Sequence, residues 1–365
     1  MTDSRYATPE ATAAFAAQNR QRGVHDAARG FDGLVLSSVG IGTYLGASDT
    51  VTDRIYEAAI ARALDLGCNV IDTAINYRCQ RSERAIGRAL ATGRIPREQI
   101  VVSTKGGYIP YDGEPPSDPA AYFHQTFVVP GIVDPSEVVA GTHCLSPRFL
   151  THQIDRSLAN LGLTCLDVYL LHNPETQLEE IAPDRFYDRM RAAFETLEER
   201  VREGRIRYYG IATWNGLRAS ATAAGLISLE RLTGAARQAA GERHHFRVIQ
   251  VPYSLAMPEA YTRKNQSLRG SLATVLDAAA ALNLYVMGSA ALYQSRLAQD
   301  LPGEIRNRVT GFATDAQRAV QFARSTPGIG TALVGMKAVG HVDENLGTLA
   351  APVLSRADLD RLVPR

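Results

Sequence analysis

The chain has 365 residues, of which 45% are hydrophobic and 21% are charged, and its formal net charge is +1. This composition is that of a globular protein and excludes a disordered, coiled-coil or collagen-like chain. Because 39 basic side chains nearly balance 38 acidic ones and no long run carries a single sign, we expect no nucleic-acid partner.

The sequence shows none of the signals of export or membrane insertion. Its first residues are acidic and polar, where a signal peptide has a basic stretch followed by an apolar one. No apolar run approaches the roughly 18 residues that cross a bilayer. We therefore expect a cytoplasmic protein with no membrane partner. The cysteines form no CxxC pair and are predicted to be free thiols rather than metal ligands, at Cys68, Cys79, Cys144 and Cys165.

Short apolar segments alternate with longer amphipathic ones along the chain. Segments rich in β-branched and aromatic residues predict eight strands, at 35–41, 69–72, 100–104, 166–171, 207–212, 247–251, 284–288 and 331–334. Amphipathic patterns predict eight helices, at 52–66, 82–91, 147–160, 184–202, 228–241, 271–282, 315–324 and 339–349. Strands that alternate with helices across short connections are typical of parallel strands, and eight such units close into a barrel.

We therefore predict a single α/β domain, a (β/α)8 TIM barrel at 34–365, preceded by an N-terminal extension at 1–33. An open doubly wound sheet is the structural alternative. Its dinucleotide fingerprint is missing, because no GxGxxG opens a helix after any predicted strand. Ser146 followed by Pro147 is typical of a helix start and supports the third helix.

Residues 106–145 form an insertion after the third strand that is much longer than the usual loop of about 2–6 residues. The segment is rich in proline and aromatic residues, so we predict an ordered lid over the C-terminal end of the barrel, where active sites form. Three of its aromatic residues are expected to form apolar walls of a substrate pocket: Tyr108, Tyr122 and Phe123. Two histidines are interpreted as solvated loop residues: His124 and His143.

Only three of the 39 basic side chains are lysines. Arginine cannot lose its proton, whereas the pKa of lysine moves readily, so the few lysines are candidates for chemistry. Lys105 ends a predicted strand and Lys337 follows the last one. Lys264, within TRKNQS, is interpreted as a solvated loop charge.

Polar residues end three neighbouring strands of the predicted barrel. Asp72 ends NVID, Lys105 ends VVSTK and His172 ends DVYLLH, and Tyr77 lies five positions beyond Asp72. Because reactive side chains in a barrel come from the C-terminal ends of different strands, these four should meet at one rim. Each alone also fits a structural role, as a helix cap, a core histidine or a rim ion pair. Their convergence favours a catalytic site.

The four residues make chemical sense together. A tyrosine with its usual pKa of about 10 is a poor proton donor, and an adjacent ammonium would lower that pKa by stabilising the phenolate. Lys105 would supply the ammonium and Asp72 would keep it charged. His172 would donate a hydrogen bond to a substrate carbonyl or to the oxygen of Tyr77.

The sequence resembles the aldo-keto reductase family. The matching stretches, in family order over about residues 34–350, are GIGTY, CNVIDTAINY with SERAIGRAL, VVSTKGG, LDVYLLHNPE, GRIRYYGIAT, IQVPYSL and ALVGMKAVGHVDENL. The resemblance implies a (β/α)8 barrel that binds NADPH, with NADH possible, and a tyrosine that protonates the carbonyl oxygen after hydride transfer. It assigns Tyr77 as general acid, with Asp72, Lys105 and His172 as its partners.

The same resemblance implies cofactor contacts at positions that match the family. Gln250 would contact the nicotinamide amide, Glu344 and Asn345 the adenine, and Lys337 and His341 the ribose or its 2′-phosphate. Where the family usually has Ser-Asn, this chain has Ala212 and Thr213, so the Thr213 hydroxyl is expected to take over an amide contact. The remaining predicted contacts are Gly42, Thr43, Ser289 and Leu292.

The sequence departs from the family pattern at one position near the nicotinamide. Gly288 stands near the seventh strand where an aromatic residue commonly stacks on the nicotinamide, so stacking is expected from Trp214 or Tyr253. The predicted substrate pocket contains Tyr44, Trp214 and Tyr108.

These observations predict an oxidoreductase that reduces an aldehyde or ketone with NADPH, or oxidises an alcohol or sugar lactol. One alternative is a barrel lyase in which Lys105 forms a Schiff base, although an adjacent Asp72 opposes the neutral amine that this needs. A second alternative is a non-catalytic protein that binds nicotinamide and regulates a partner.

Overall fold

The computed structural model describes residues 5–24 and 29–363. Eight parallel strands close into a barrel, which confirms the predicted (β/α)8 fold. The ten strands of the described chain are β1 (Val39–Gly42), β2 (Val70–Asp72), β3 (Val101–Gly106), β4 (Leu166–His172), β5 (Ile206–Ala212), β6 (Phe246–Pro252), β7 (Lys264–Leu268), β8 (Ser271–Thr274), β9 (Tyr285–Ser289) and β10 (Thr331–Gly335). The barrel order is β1-β10-β9-β6-β5-β4-β3-β2, so β7 and β8 lie outside it.

Helices surround the barrel and follow its strands. The described α-helices are α1 (Pro9–Gln21), α2 (Thr50–Asp65), α3 (Arg81–Ala91), α4 (Pro119–Phe123), α5 (Pro147–Leu161), α6 (Pro183–Arg202), α7 (Leu229–Ala240), α8 (Glu259–Thr262), α9 (Val275–Ala281), α10 (Gly303–Arg308), α11 (Asp315–Ser325), α12 (Val339–Leu346) and α13 (Arg356–Leu362). Pro147 occupies the first turn of α5 as expected, although the Ser146 side chain makes no capping hydrogen bond. No helix in the described ranges is long and apolar enough to cross a membrane.

The structure differs from the predicted elements mainly between β6 and β9. The helix predicted at 271–282 is divided, because its first residues pair with Lys264–Leu268 in an antiparallel hairpin. Positive φ angles at Arg269 and Gly270 make the tight turn of this hairpin. Thr274 then caps α9 by accepting a hydrogen bond from the backbone N–H of Asp277.

Alternate residues of each strand face the inside and the outside of the barrel. Val70, Val101 and Val168 pack with Leu333 in an interior cluster. The residues between them pack in a second cluster with the surrounding helices. Apolar side chains thus cover most of both faces of the sheet, and the polar residues considered below lie toward the C-terminal ends of the strands.

The described part of the N-terminal extension lies against the N-terminal ends of the strands. The backbone N–H of Ala7 donates to Asp167 Oδ1 at 2.7 Å, and Leu34 joins the interior cluster. The remaining residues of the predicted extension, 1–4 and 25–28, lie outside the described part of the chain. The division at residue 33 stays a prediction.

The insertion at 106–145 forms a small apolar cluster of its own against α5. Helix α4 continues into a π-helical turn at His124–Val128, and Phe127 packs against Phe149 of α5 with ring centroids 5.8 Å apart. Tyr122 and Phe123 pack on the same cluster. Burial of these rings against the helix explains why so long a loop is ordered.

Candidate active site

A cavity of about 460 Å³ opens at the C-terminal ends of the barrel strands. Asp72, Tyr77 and His172 line it, so three of the four predicted catalytic residues share one surface. A second cavity, of about 420 Å³, lies at the opposite end of the barrel and is lined by none of the four. The polar groups described below therefore define one candidate site.

Asp72 and Lys105 form a buried ion pair at the base of this site. The Lys105 Nζ lies 2.7 Å from Asp72 Oδ2 and 2.7 Å from the carbonyl oxygen of Thr73, and Lys105 is 0% exposed. Burial lowers the pKa of Lys105, and the Asp72 carboxylate offsets part of this effect. Both contacts are hydrogen-bond acceptors, and an ammonium group donates to both of them.

Tyr77 lies in the loop after β2, where its ring contacts the other members of the site. Its centroid is 5.2 Å from Lys105 Nζ, 5.7 Å from the His172 ring and 4.9 Å from the Tyr44 ring. Burial raises the pKa of Tyr77 well above 10, and the Asp72 carboxylate adds to this effect. The expectation that Lys105 gives Tyr77 a lowered pKa is therefore wrong for this structure, and the phenol is protonated at neutral pH.

The turn that follows Tyr77 has an unusual backbone. Arg78, Cys79 and Gln80 have consecutive positive φ angles of 49°, 54° and 68°. Such conformations are costly for residues other than glycine and need support from the surrounding structure. The Arg78 guanidinium donates to Asp53 Oδ1 at 2.7 Å, and the insertion donates the backbone N–H of Gly113 to the Cys79 carbonyl at 2.9 Å. These contacts hold the loop that presents Tyr77.

His172 ends β4 and is almost fully buried. Burial and the nearby Lys105 hold the pKa of His172 well below 6.5, so its imidazole is neutral. Its Nδ1 has no hydrogen-bond partner among the described residues. The centroid of its ring lies 5.7 Å from that of Tyr77 and 5.2 Å from that of Tyr108. A neutral imidazole here can donate or accept a hydrogen bond toward a molecule in the cavity.

His143 is not the solvated loop residue that its position in the insertion suggested. It is 0% exposed, and its Nε2 lies 2.8 Å from the carbonyl oxygen of His172. Burial lowers its pKa to about 4, so it too is neutral at physiological pH.

The inner residues of the predicted cofactor site line the cavity: Gly42, Thr43, Thr213, Gln250, Ser289 and Leu292. The side-chain Nε2 of Gln250 donates to Asp72 Oδ1 at 2.9 Å. The Thr213 hydroxyl is buried without a hydrogen-bond partner among the described residues. Because buried polar groups in proteins are normally paired, this hydroxyl fits a site for a polar ligand such as a carboxamide.

The outer cofactor residues lie beyond this cavity, in the loop after β10 and in α12. Gly335, at the end of β10, lines the cavity and connects the two regions. Lys337 and His341 are exposed, whereas Asn345 is buried and its Oδ1 has no partner within the described ranges. The Lys337 ammonium, the His341 imidazole and the unpaired Asn345 oxygen are groups that fit the adenosine half of a dinucleotide.

The predicted aromatic residues separate into two groups. Tyr44, Tyr108 and Trp214 line the cavity, with Tyr44 and Trp214 partly exposed at its mouth. Tyr253 does not, because it is 0% exposed and stacks on Phe322 at 5.5 Å. Of the two candidates for stacking on a nicotinamide, Trp214 alone lines the cavity.

Tyr122 and Phe123 also lie outside the cavity, since they pack in the apolar cluster against α5. The expectation that they form pocket walls is wrong. Of the three insertion aromatics, only Tyr108 lines the cavity, and the role of the insertion as a lid stays a prediction.

Sequence reasoning missed several residues of the site. Asn173 and Tyr293 line the cavity. Asn173 directly follows the strand that ends at His172, and Tyr293 is an aromatic residue in the loop after β9, so both carried a positional signal. Glu175 is partly buried, and its Oε1 accepts backbone N–H bonds from Trp214 and Asn215 at 2.6 Å and 2.9 Å. It holds the loop that carries Trp214.

Comparison with known proteins agrees with this architecture. The model of the Aldo/keto reductase family matches residues 38–363. An aldo-keto reductase of Mycobacterium avium (strain 104) is 29% identical over 164 residues, which cover 45% of this chain and 41% of that protein. The NADH-specific methylglyoxal reductase of Escherichia coli (strain K12) is 28% identical over 184 residues, 49% of each chain. The chain thus spans about two fifths to half of the length of these curated relatives.

Solved structures share the fold over nearly the whole chain. An aldo-keto reductase from Klebsiella pneumoniae in complex with NADPH superposes with a TM-score of 0.61 at 24% identity, covering 93% of this chain and 95% of that one. The holo form of an aldo-keto reductase from Bacillus halodurans gives a TM-score of 0.62 at 20% identity, over 93% and 96%.

Fold and site together define a TIM-barrel protein whose polar cluster lies at the C-terminal rim. This is where TIM-barrel enzymes have their active sites. The family match over nearly all of the described chain makes the assignment specific. This chain belongs to the aldo/keto reductase family.

Proposed function

We propose that this protein is an NAD(P)H-dependent oxidoreductase that interconverts a carbonyl group and an alcohol, with Tyr77 as the general acid and base. The observation that carries the proposal is the buried Asp72–Lys105 ion pair beside Tyr77, on a cavity that Tyr77 and His172 share. Family membership supports the reaction class. NADPH, when bound in the cavity, would supply the hydride.

Tyr77 is suited to donate a proton in the reduction. Its pKa is raised by burial, so the hydroxyl carries its proton before the reaction. As the proton leaves, negative charge develops on the phenol oxygen in a site of low dielectric. The Lys105 ammonium, 5.2 Å from the ring centroid, stabilises that charge, and Asp72 keeps the ammonium in place. The ion pair therefore acts on the anion that forms rather than on the resting phenol.

His172 is suited to orient the carbonyl that receives the proton. Its imidazole is neutral because burial lowers its pKa, and its ring borders both Tyr77 and the cavity. A neutral imidazole donates a hydrogen bond without surrendering its proton, so it can hold the substrate oxygen near Tyr77 while Tyr77 protonates it.

The cofactor is proposed to be NADPH, with NADH as the alternative. Gln250 and Thr213 would hold the carboxamide, Ser289 and Leu292 the pyrophosphate arm, and Glu344 and Asn345 the adenine. Lys337 supplies an exposed positive charge in the loop after β10. Such a charge favours a 2′-phosphate. A Klebsiella pneumoniae relative of the same fold is in complex with NADPH, whereas an Escherichia coli relative is NADH-specific.

The substrate is proposed to be an aldehyde, a ketone or a sugar lactol. Tyr44, Tyr108 and Trp214 contribute aromatic rings to the walls of the cavity. Aromatic rings pack against both aromatic carbonyl compounds and the apolar faces of sugars. The Escherichia coli relative is a methylglyoxal reductase, which makes methylglyoxal a rational first aldehyde to assay.

The geometry disfavours the lyase alternative. A Schiff base needs an amine that a carbonyl compound can reach, but Lys105 is 0% exposed, is bonded to Asp72 and is not part of the cavity lining. The regulatory alternative differs from the proposal only in turnover, so it is decided by assay.

The test uses the full chain with NADPH and NADH, methylglyoxal and an aromatic aldehyde. Binding titrations with each cofactor and loss of NAD(P)H absorbance with each aldehyde should show tight binding and turnover. Binding without turnover of any carbonyl compound would contradict the enzyme and support the regulatory alternative. Trapping of a covalent adduct at Lys105 by borohydride would instead support the lyase.

A further inference from the structure

One buried histidine of the insertion contacts the backbone of the catalytic rim. The Nε2 of His143 lies 2.8 Å from the backbone carbonyl oxygen of His172, the last residue of β4. Gly107 makes this approach possible, because a Cβ at that position would lie 2.8 Å from the same Nε2. A backbone hydrogen bond joins the two ends of the insertion, since the N–H of Cys144 donates to the Gly107 carbonyl at 2.8 Å. His143 is therefore built into the barrel rim.

Neighbouring side chains fix which nitrogen of His143 carries the proton. Arg189 has only donors, so its contact with Gln177 assigns the accepting oxygen to the Gln177 Oε1. The Gln177 amide nitrogen then faces His143 Nδ1 at 2.8 Å and donates to it. Because Nδ1 accepts, the proton of the neutral ring lies on Nε2 and is donated to the His172 carbonyl. An arginine that never loses its charge thus sets the tautomer of His143.

This hydrogen bond matters because it holds the backbone from which the His172 ring extends. Its Nδ1 has no partner among the described residues, so the imidazole is held by ring packing and by the path of its own backbone. That backbone turns sharply at the next residue, Asn173, which has a φ of 45° and donates its N–H to the Ala212 carbonyl at 2.6 Å. The His172 carbonyl and the Asn173 N–H belong to one planar peptide unit, so loss of the His143 donor would remove one of the two hydrogen bonds described here for this bend.

We propose that His143 is a positioning residue, which holds the end of β4 so that the imidazole of His172 meets the substrate carbonyl. The proposal rests on the proposed function of the site. The insertion then affects the reaction rate through the position of His172, and Gln177 and Arg189 hold His143 in the tautomer that this requires. This effect does not depend on whether the insertion also covers the cavity.

The test compares three single variants in the full chain. His143→Leu removes the donor, His143→Gln retains an N–H near the position of Nε2, and His124→Leu makes the same change at an exposed histidine of the same insertion. Mutations of residues that orient a reacting group typically cost about 10–100-fold. We expect His143→Leu to lower kcat by about this factor with less than about threefold change in cofactor Kd, His143→Gln to restore most of kcat, and His124→Leu to match wild type.

A second readout needs neither cofactor nor substrate. In the nitrogen-15 NMR spectrum of histidine-labelled protein, His143 should give the neutral Nε2–H signal between pH 6 and 8, and the His172 signals should shift or broaden in His143→Leu. An Nδ1–H tautomer for His143, or His172 signals unchanged in His143→Leu, would overturn the proposal.

The two proposals fail in different ways. If wild type reduces aldehydes and Tyr77→Phe does not, but folded His143→Leu retains wild-type kcat, positioning by His143 is wrong and the proposed function stands. If His143→Leu and His143→Gln lose kcat equally, the hydrogen bond is not the cause and the positioning proposal is again wrong. If wild type reduces no carbonyl compound, the proposed function itself fails, and the NMR measurement still decides the contact.

Discussion

The two ends of the proposed cofactor site differ in how the protein holds their polar groups. At the inner end, Asp72 and Lys105 are buried and bonded to each other, and Gln250 bonds to the same carboxylate. At the outer end, Lys337 in the loop after β10 and His341 on α12 are both exposed. Buried and bonded groups are oriented before a ligand arrives, whereas exposed charges are screened by water and salt. We therefore expect inner residues to control rate and outer residues to control binding.

Among the charged side chains at the two ends, the largest effect is expected at the inner end, in Lys105→Met. This change removes the ammonium that stabilises the Tyr77 phenolate, so kcat for reduction should fall by about 10²–10³-fold. The pKa of Tyr77 is already raised well above 10 by burial, so the hydroxyl stays protonated in both proteins and the loss of rate should be nearly equal at each pH from about 6 to 9. The pH profile of kcat measures the rate and its pH dependence. A wild-type rate would show that Lys105 is only a structural ion pair and would remove the contrast between the two ends.

A smaller effect, on stability, is expected from His143. Its pKa is about 4 in the folded chain and 6.5 when unperturbed, so between these values the unfolded chain binds a proton that the folded chain does not. The free energy of unfolding should therefore fall as pH drops from about 6.5 to 4, by about 1–3 kcal/mol from this residue.

The measurement is urea unfolding at several pH values for wild type, His143→Gln and His124→Gln. His143→Gln should flatten the loss of stability between pH 6.5 and 4, and His124→Gln should not. Because His172 also has a lowered pKa and is present in all three proteins, its contribution cancels. Parallel curves for wild type and His143→Gln would contradict the assigned burial of His143.

The smallest effect is expected at the outer end, in Lys337→Ala. Loss of one exposed charge beside a 2′-phosphate should weaken NADPH binding by about 3–10-fold and leave NADH binding and kcat unchanged. Lys264→Ala, at an exposed lysine on β7, is the matched control and should change nothing. Fluorescence titration with both cofactors decides the matter. Equal losses for NADPH and NADH would place Lys337 outside the phosphate site.

The strand ends of the barrel were predictable because their chemistry changes sharply. In a barrel whose sheet is mostly covered by apolar side chains, a polar or charged residue buried at a strand end is costly unless a partner or a ligand meets it. Asp72, Lys105 and His172 all follow this pattern, and the closed barrel brings them together as expected.

The insertion and the turn after Tyr77 were not predictable in the same way. The burial of His143 depends on Gln177 and Arg189, which lie more than 30 residues away in sequence. The left-handed backbone at 78–80 is held by tertiary contacts, since Arg, Cys and Gln have no preference for it. The hairpin of β7 and β8 likewise replaced part of a helix whose apolar spacing fitted both structures.

The central claim is that Tyr77 protonates the carbonyl oxygen at the rim. It is tested most directly by a single-turnover experiment in which enzyme saturated with NADPH is mixed with methylglyoxal or an aromatic aldehyde. Tyr77→Phe should oxidise NADPH about 10²–10⁴-fold more slowly than wild type, with nearly the same Kd for NADPH. A Tyr77→Phe transient as fast as that of wild type would contradict the claim.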